Sequence, residues 1–315
     1  MNNSKEILVP VILGPTAVGK TELTLKLASD FNGEIISCDS RQIYKYMDIG
    51  TAKPSPDELE KIAHWLIDLI EPSQHYSAYQ FSYDAQNIIR KKTRQKKMVF
   101  MCGGTGFYFN CLKEGLGPEV PSDLSFRALY KEKALQNGNE SIYQELFKHD
   151  PETAERLHPN DCQRIIRALQ VYYQSGVPLS QHKKIKNPPQ DIKFLVFILS
   201  LNRPILYQRI NQRVDQMFQQ GLWEEFSSLR SKGYTDHDPG MHCLGYKELF
   251  PVENKSISLN DSIKNIKKNS RRYAKRQITW LLNKTDGVWI DVSEKSAYSK
   301  IKTRIIQHLK ISHYH

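Results

Sequence analysis

Three short apolar runs in the first third of the chain each end abruptly in a small or polar turn. Val11-Ile12-Leu13 runs into Gly14, and Ile35-Ile36-Ser37-Cys38 runs into Asp39-Ser40. Met98-Val99-Phe100-Met101-Cys102 runs into Gly103-Gly104-Thr105-Gly106. Helix-like stretches lie between them, Glu22 to Ser29 and Tyr83 to Lys92. Apolar strands alternating with helices predict an α/β fold, a parallel sheet covered on both faces. Ligands of such sheets sit beyond the carboxyl ends of the strands, so the three turns are expected to line one cleft. Pro10 cannot donate to a ladder, which places the start of the first strand after it. Residues 121–180 read as helical and polar, with no credible strand. Lys193 to Leu201 is again a buried-strand run, so the chain is expected to return to the sheet. The predicted organisation is an α/β core over 1–120, a helical lobe over 121–189 and a return to the core over 190–315. Lys183 to Gln190 forms the linker, 203–284 is mostly helical, and Val288 to Val292 is a last strand. The Lys- and Arg-rich segment from Arg90 to Lys97 reads as the frayed, solvated end of a helix.

The first turn carries chemistry. Gly14-Pro15-Thr16-Ala17-Val18-Gly19-Lys20-Thr21 fits G-x-x-x-x-G-K-[ST]. Its glycines let successive backbone N–H groups face phosphate oxygens, Lys20 adds a point charge, and the Thr21 hydroxyl can ligate Mg²⁺. The flanks are right for a P-loop: an apolar strand before, and a helix after with Leu23 and Leu27 one turn apart. The core is therefore expected to be P-loop NTPase-like. Nucleotide hydrolysis does not follow, because the strand ending at Cys102 closes in Gly-Gly-Thr-Gly without the acid that NTPases use to hold Mg²⁺. Asp68 is a weak substitute. Asp39, at the tip of the second strand, is the better-placed carboxylate, although an Asp there also suits a helix N-cap.

Composition narrows the partner class. The formal net charge of +11 raises the local concentration of polyanions, nucleic acid first among them. Lys264 to Lys284 holds eight basic residues and no acidic one. On a helix, Lys264, Lys268, Arg271 and Lys275 fall on one stripe, and Ile263, Ile266, Tyr273 and Leu281 broadly on another. No run approaches the ~20 apolar residues of a membrane span. Met1 to Pro10 lacks a secretory h-region, so the expected compartment is the cytoplasm. Five scattered cysteines form no CxxC pair, which argues against zinc and against a disulfide framework.

Taken in order, the motifs resemble the tRNA dimethylallyltransferase (tRNA isopentenyltransferase) family, bacterial type. Besides the P-loop, these are Asp39-Ser40-Arg41-Gln42-Ile43-Tyr44, Met47 to Pro54, and Gly103-Gly104-Thr105-Gly106-Phe107-Tyr108. His158-Pro159-Asn160-Asp161 with Gln163-Arg164 and Arg167-Ala168-Leu169 follows. So do Gln212 to Met217, Gly245-Tyr246-Lys247-Glu248, and Lys275-Arg276-Gln277-Ile278-Thr279-Trp280-Leu281. Phe107 stands where Leu is more usual, and the zinc-finger extension of eukaryotic relatives is not expected. The resemblance implies that dimethylallyl diphosphate and a tRNA anticodon stem-loop are the substrates, with N6 of the adenosine 3′ of the anticodon as acceptor. It implies Asp39 as the base, Lys20 and Arg213 on the diphosphate, Mg²⁺ at Thr21, and Thr105 fixing the acceptor. It further implies tRNA contacts at Ser40, Arg41, Gln42, Arg127, Gln163, Arg164, Ile165, Ile166 and Arg167. The remaining contacts fall at His242, Cys243, Leu244, Gly245, Tyr246, Lys247, Lys275, Arg276 and Gln277. A monomer is expected. The alternatives are a P-loop small-molecule or nucleoside kinase, which leaves the basic helix unexplained, and a non-catalytic RNA-binding switch that senses nucleotide.

Overall fold

The computed structural model describes residues 6–311, so the first five residues of the N-terminal stretch lie outside it. The chain forms two compact units, one running up to Lys113 and again from Pro189 onward, the other Glu114–Pro188.

In the first unit β1 (Ile7–Leu13), α1 (Lys20–Asp30), β2 (Gly33–Ser37), α2 (Pro56–Lys61), β3 (His64–Trp65), α3 (Ala78–Arg94), β4 (Met98–Gly103) and α4 (Gly106–Glu114) come first. Five helices, α5 (Leu124–Asn137), α6 (Asn139–His149), α7 (Pro151–Ala154), α8 (Cys162–Ser175) and α9 (Leu179–His182), make up the second unit. The chain then resumes the sheet with β5 (Ile192–Ser200), α10 (Arg203–Gln219), α11 (Leu222–Ser231), α12 (Phe250–Glu253), α13 (Leu259–Lys284), β6 (Val288–Asp291) and α14 (Ala297–Ile311). The six strands form one sheet in the order β3-β2-β4-β1-β5-β6, and every pairing is parallel.

Alternation along the strands decides which helix covers which face. Val9, Val11, Leu13, Val99 and Met101 point to one side, where Phe81, Ala85 and Ile89 of α3 close over them. Ile12, Phe100, Phe197 and Leu199 point to the other, against Leu27 of α1, Leu206 and Ile210 of α10, and Ile301 and Ile305 of α14. The second unit has its own core, with Ile142, Leu146, Ala154, Ile165 and Leu169 buried together.

Two expectations need correcting. Pro10 lies inside β1, which starts at Ile7. The Ile7 N–H donates toward the β5 side, to Asp191, so with a period of two Pro10 faces β4. The β4 ladder begins only at Val11, so no hydrogen bond is lost there. The end of α3 is not frayed either. Arg90 makes a two-pronged pair with Asp191 at 2.7 and 2.8 Å, and Lys92 lies 3.1 Å from Glu34 and 4.3 Å from the Trp65 ring centre.

A third cluster of the first unit, with Ile43, Met47, Phe226, Tyr246, Leu249 and Ile266, carries the long β2–α2 connection. Its polar anchor is Glu225 of α11. The carboxylate accepts the backbone N–H groups of Asp48, Ile49 and Gly50 at 2.8, 2.9 and 3.1 Å, and the Tyr246 hydroxyl at 2.5 Å. A side chain at Gly50 would meet the Tyr246 ring, since an added Cβ falls 2.4 Å from it. Glu225→Ala strands three amide donors at once, and partial access of water to them limits the damage. We expect a loss of about 1–3 kcal/mol, read as a lower denaturation midpoint in urea at unchanged slope.

Candidate active site

Because β2, β4 and β1 are adjacent and parallel, their carboxyl-terminal turns meet at one edge, as the apolar runs predicted. The P-loop follows β1. Ala17 and Gly19 take positive φ, 63° and 101°, and Gly19 precedes the first turn of α1. Lys20 donates to the Pro15 carbonyl at 2.7 Å, so the ammonium is folded over its own loop. The pocket in front measures about 780 Å³. Lys20 and Thr21 line it, as do Asp48, Ile49 and Lys53 of the connection that Glu225 holds, and Arg209, Gln212 and Arg213 of α10. Lys53 is itself fixed, donating to the Tyr44 carbonyl at 2.7 Å and to Asp48 at 2.6 Å, and pairing with Asp68. Asp68 therefore serves Lys53.

The turns are tied to one another by named bonds. Cys38 N–H donates to the Cys102 carbonyl at 2.8 Å and Thr105 N–H to the Cys38 carbonyl at 3.2 Å. The Thr105 hydroxyl accepts the Ser40 N–H at 3.1 Å. Gly103 has to be glycine, since a Cβ there would sit 2.0 Å from the Cys38 carbonyl oxygen. Gln277 of α13 completes the frame, its carbonyl oxygen accepting the Thr16 N–H at 2.9 Å and its amide donating to the Gly104 carbonyl at 3.0 Å. Arg213 reaches the Thr16 hydroxyl at 3.4 Å.

Electrostatics bind the same groups together. Burial brings the Lys20 ammonium down to about 8, Arg213 adds to that by repulsion, and Asp39 opposes it. Arg213 is likewise lowered by burial and supported by Asp39. Burial and then Asp39 push the Tyr273 phenol up to about 12, so this α13 residue also faces the acid. One Asp39 oxygen accepts the Arg41 N–H at 2.9 Å, closing a turn; no helix begins there, which corrects the helix N-cap that its position suggested.

The other sequence candidates fall into three groups. The side chains of Ile165, Ile166, Cys243, Tyr246 and Gln277 are buried, at most 7% exposed. The two isoleucines fill the core of the second unit, Cys243 and Tyr246 pack beside the β2–α2 connection, and Gln277 braces the two loops. Gln42 is spent internally, accepting from Ser37 at 2.8 Å and donating to the Ala52 carbonyl at 3.0 Å. Gly245 donates its N–H to Glu248, and Leu244 packs on the third cluster. Arg41 leans on the Pro239 carbonyl at 3.4 Å, Arg127 on Gln170, and Arg167 on the Val120 carbonyl at 2.7 Å. Gln163, Arg164, His242, Lys247, Lys275 and Arg276 have exposed side chains. The roles of Gln277, Glu225 and Tyr273 escaped the sequence. Tyr273 carried the one available signal, a hydroxyl on an otherwise apolar stripe.

A family model described as IPP transferase matches residues 42–284. A tRNA dimethylallyltransferase of Thermoanaerobacter sp. (strain X514) is 41% identical over 307 residues, covering 96% of this chain and 98% of the relative. The crystal structure of the full-length tRNA isopentenylpyrophosphate transferase from Bacillus halodurans superposes with a TM-score of 0.71 at 36% identity, covering 98% of this chain and 99% of the other. A eukaryotic dimethylallyltransferase captured acting on tRNA gives 0.79 at 30% identity, over 98% of this chain and 80% of that one. Similarity of this extent accompanies a P-loop NTPase-like core, and the chain belongs to the tRNA dimethylallyltransferase (IPP transferase) family.

Proposed function

We propose that the protein transfers a dimethylallyl group from dimethylallyl diphosphate to N6 of the adenosine 3′ of the anticodon in tRNA, with Asp39 as base and the P-loop as diphosphate cradle. One observation carries the assignment of roles: acid and cradle stand at the tips of β2 and β1, the two strands that flank β4, and Thr105 and Gln277 hold the turns in fixed register. The adenine amine is a poor nucleophile because its lone pair is delocalised into the ring. N6 attacks C1 of the allyl group, the C1–O bond breaks, and its electron pair leaves with the diphosphate. The N6 proton passes to the Asp39 oxygen that does not cap the turn. Lys20, the loop N–H groups and Arg213 receive the charge that builds on the leaving oxygens. The base must be extruded from its stack to enter such a site.

The donor set also fits a magnesium ion. Thr21 offers one hydroxyl to the pocket. That suits an ion keeping its waters and entering with the diphosphate. Bound there, Mg²⁺ would neutralise charge on the leaving group. Among the described residues no helix is long and apolar enough to cross a membrane, and we place the enzyme in the cytoplasm, as a monomer.

The direct test incubates the protein with labelled dimethylallyl diphosphate and unmodified tRNA bearing adenosine after the anticodon. The product nucleoside is identified by mass. ATP turnover without tRNA, and no labelled nucleoside, would establish the kinase instead. Within this reading, Asp39→Asn should keep tRNA affinity and lose about 10²–10⁴-fold in transfer rate. Lys20 is charged below about pH 8 and neutral above it. In the wild type, kcat/KM for dimethylallyl diphosphate should therefore fall as pH rises through about 8, a limb that reports the free enzyme. In Lys20→Arg the value should be lower throughout and flat across that range. Reversing the charges of the exposed Arg272 and Lys275 should raise KM for tRNA and flatten its salt dependence. An unchanged salt slope would remove α13 from the tRNA interface.

A further inference from the structure

Behind the turn that carries Thr105, two aromatic side chains have no role in the frame described so far. Phe107 is 53% exposed and belongs to none of the apolar clusters. Its ring meets Trp280 of α13 edge to face, at 86° with the centroids 6.0 Å apart. Trp280 is wedged against the start of α4, where a Cβ on Gly106 would lie 2.6 Å from its Cδ1 and 2.8 Å from its Nε1. Its indole N–H is buried with no hydrogen-bond partner, a cost that Phe or Leu in the same place would avoid. The indole presents a broad, flat wall beside Gly106. Along α13 a groove of about 480 Å³ runs past this wall, lined by Arg272, Lys275, Arg276, Thr279, Trp280, Asn283 and Lys284. Every charged residue in that lining is cationic, and Arg276 sits 5.8 Å from the Tyr273 ring centre.

Exposed aromatic faces beside a row of cations form the usual platform for single-stranded nucleic acid, because every base has a π-face while the backbone supplies the charge. Phe107 lies two residues beyond Thr105, at most about 7 Å along the chain. We infer that Phe107, backed by Trp280, stacks the unpaired nucleotide next to the acceptor adenosine, while Arg272, Lys275, Arg276 and Lys284 take its phosphates. This rests on the proposed acceptor at Thr105. It assigns a further recognition step, in which one neighbour is held by stacking while the acceptor is turned into the site. Stacking tolerates any base, so the step fixes the strand's path and leaves the choice of letter to other contacts.

The test uses the full-length protein and an anticodon stem-loop hairpin with 2-aminopurine placed, in separate molecules, on each side of the acceptor adenosine. In the wild type, binding should quench the probe at one of the two positions. Phe107→Ala should abolish that quench and raise KM for the hairpin roughly 5- to 150-fold, the range for loss of one stacked base. KM for dimethylallyl diphosphate and kcat at saturating hairpin should stay near wild type, and Phe107→Tyr should restore both quench and KM. Since Phe107 is half exposed, its truncation leaves the core intact. If the wild type modifies the hairpin but neither probe responds to Phe107→Ala, the platform is wrong and the reaction stands. If the wild type binds and quenches, Phe107→Ala loses that quench, but nothing is transferred, the reaction is wrong and the platform stands. If it binds no hairpin at all, both fall.

Discussion

A single amide side chain holds the phosphate loop and the Gly-rich turn in register. Gln277 accepts the Thr16 N–H with its oxygen and donates to the Gly104 carbonyl with its nitrogen, so both loops are fixed by one planar group rooted on α13. Neither loop could be held by sheet ladders, because both lie beyond the strand ends, where the regular backbone pairing has stopped. The demand for a close approach explains the paired glycines, since a Cβ on Gly104 would sit 2.3 Å from the Gln277 nitrogen and one on Gly103 would strike Cys38. Phosphate cradle, acid and acceptor turn thus inherit their spacing from hydrogen bonds of fixed length. Transfer between two substrates depends on that kind of spacing, because its advantage comes from alignment more than from any one strong group.

Much of this was open to a reader of the sequence. The strand tips at Leu13, Ser37 and Gly103 follow from apolar runs that end in turn residues, and the parallel sheet follows from the helices between them. Lys20 and Asp39 could be named as candidates from motif and position, and Thr105 from the family resemblance. What stayed hidden depended on contacts between residues far apart in the chain. Gln277 and Thr16 are 261 positions apart, and Glu225 is 175 or more from the amides it holds. Nothing local marks either as a strut. Tyr246 and Gln277 sit in stretches that do resemble RNA-contacting signatures, and their burial shows how such a stretch can serve the site from inside. Pro10 misled for the opposite reason. The local rule about proline was sound, but which neighbour its missing N–H faced is a property of the sheet.

Helix α13 deserves to be read as two devices on one rod. Ser262, Ile266, Ser270, Ala274, Gln277 and Leu281 form its buried stripe, a spacing of three and four that keeps one face inward for its whole length. Small residues on that stripe let the helix lie close to its neighbours. The opposite stripe carries Lys264, Lys268, Arg272, Lys275 and Arg276 into solvent. If α13 binds tRNA as proposed, a rod braced at Gln277 and cationic outside joins that contact to the phosphate loop through the bonds of Gln277. A displacement of the helix would be felt at both.

The charges in the site lie along a line that favours the chemistry in one direction. Two buried cations, Lys20 and Arg213, stand on the P-loop side; burial weakens the hold of both on a proton and Arg213 weakens that of Lys20 further, while the acid Asp39 supports both from the tip of β2. An incoming diphosphate relieves the repulsion, and Lys20 gains a reason to stay protonated. On the proposed reaction the electron pair of the breaking C–O bond then moves toward the cations, and the N6 proton moves toward the carboxylate. Both displacements run down the same field. Exchanging the ends would oppose both movements at once, so on the proposed reaction the order of acid on β2, acceptor turn on β4 and cradle on β1 is a requirement of the mechanism.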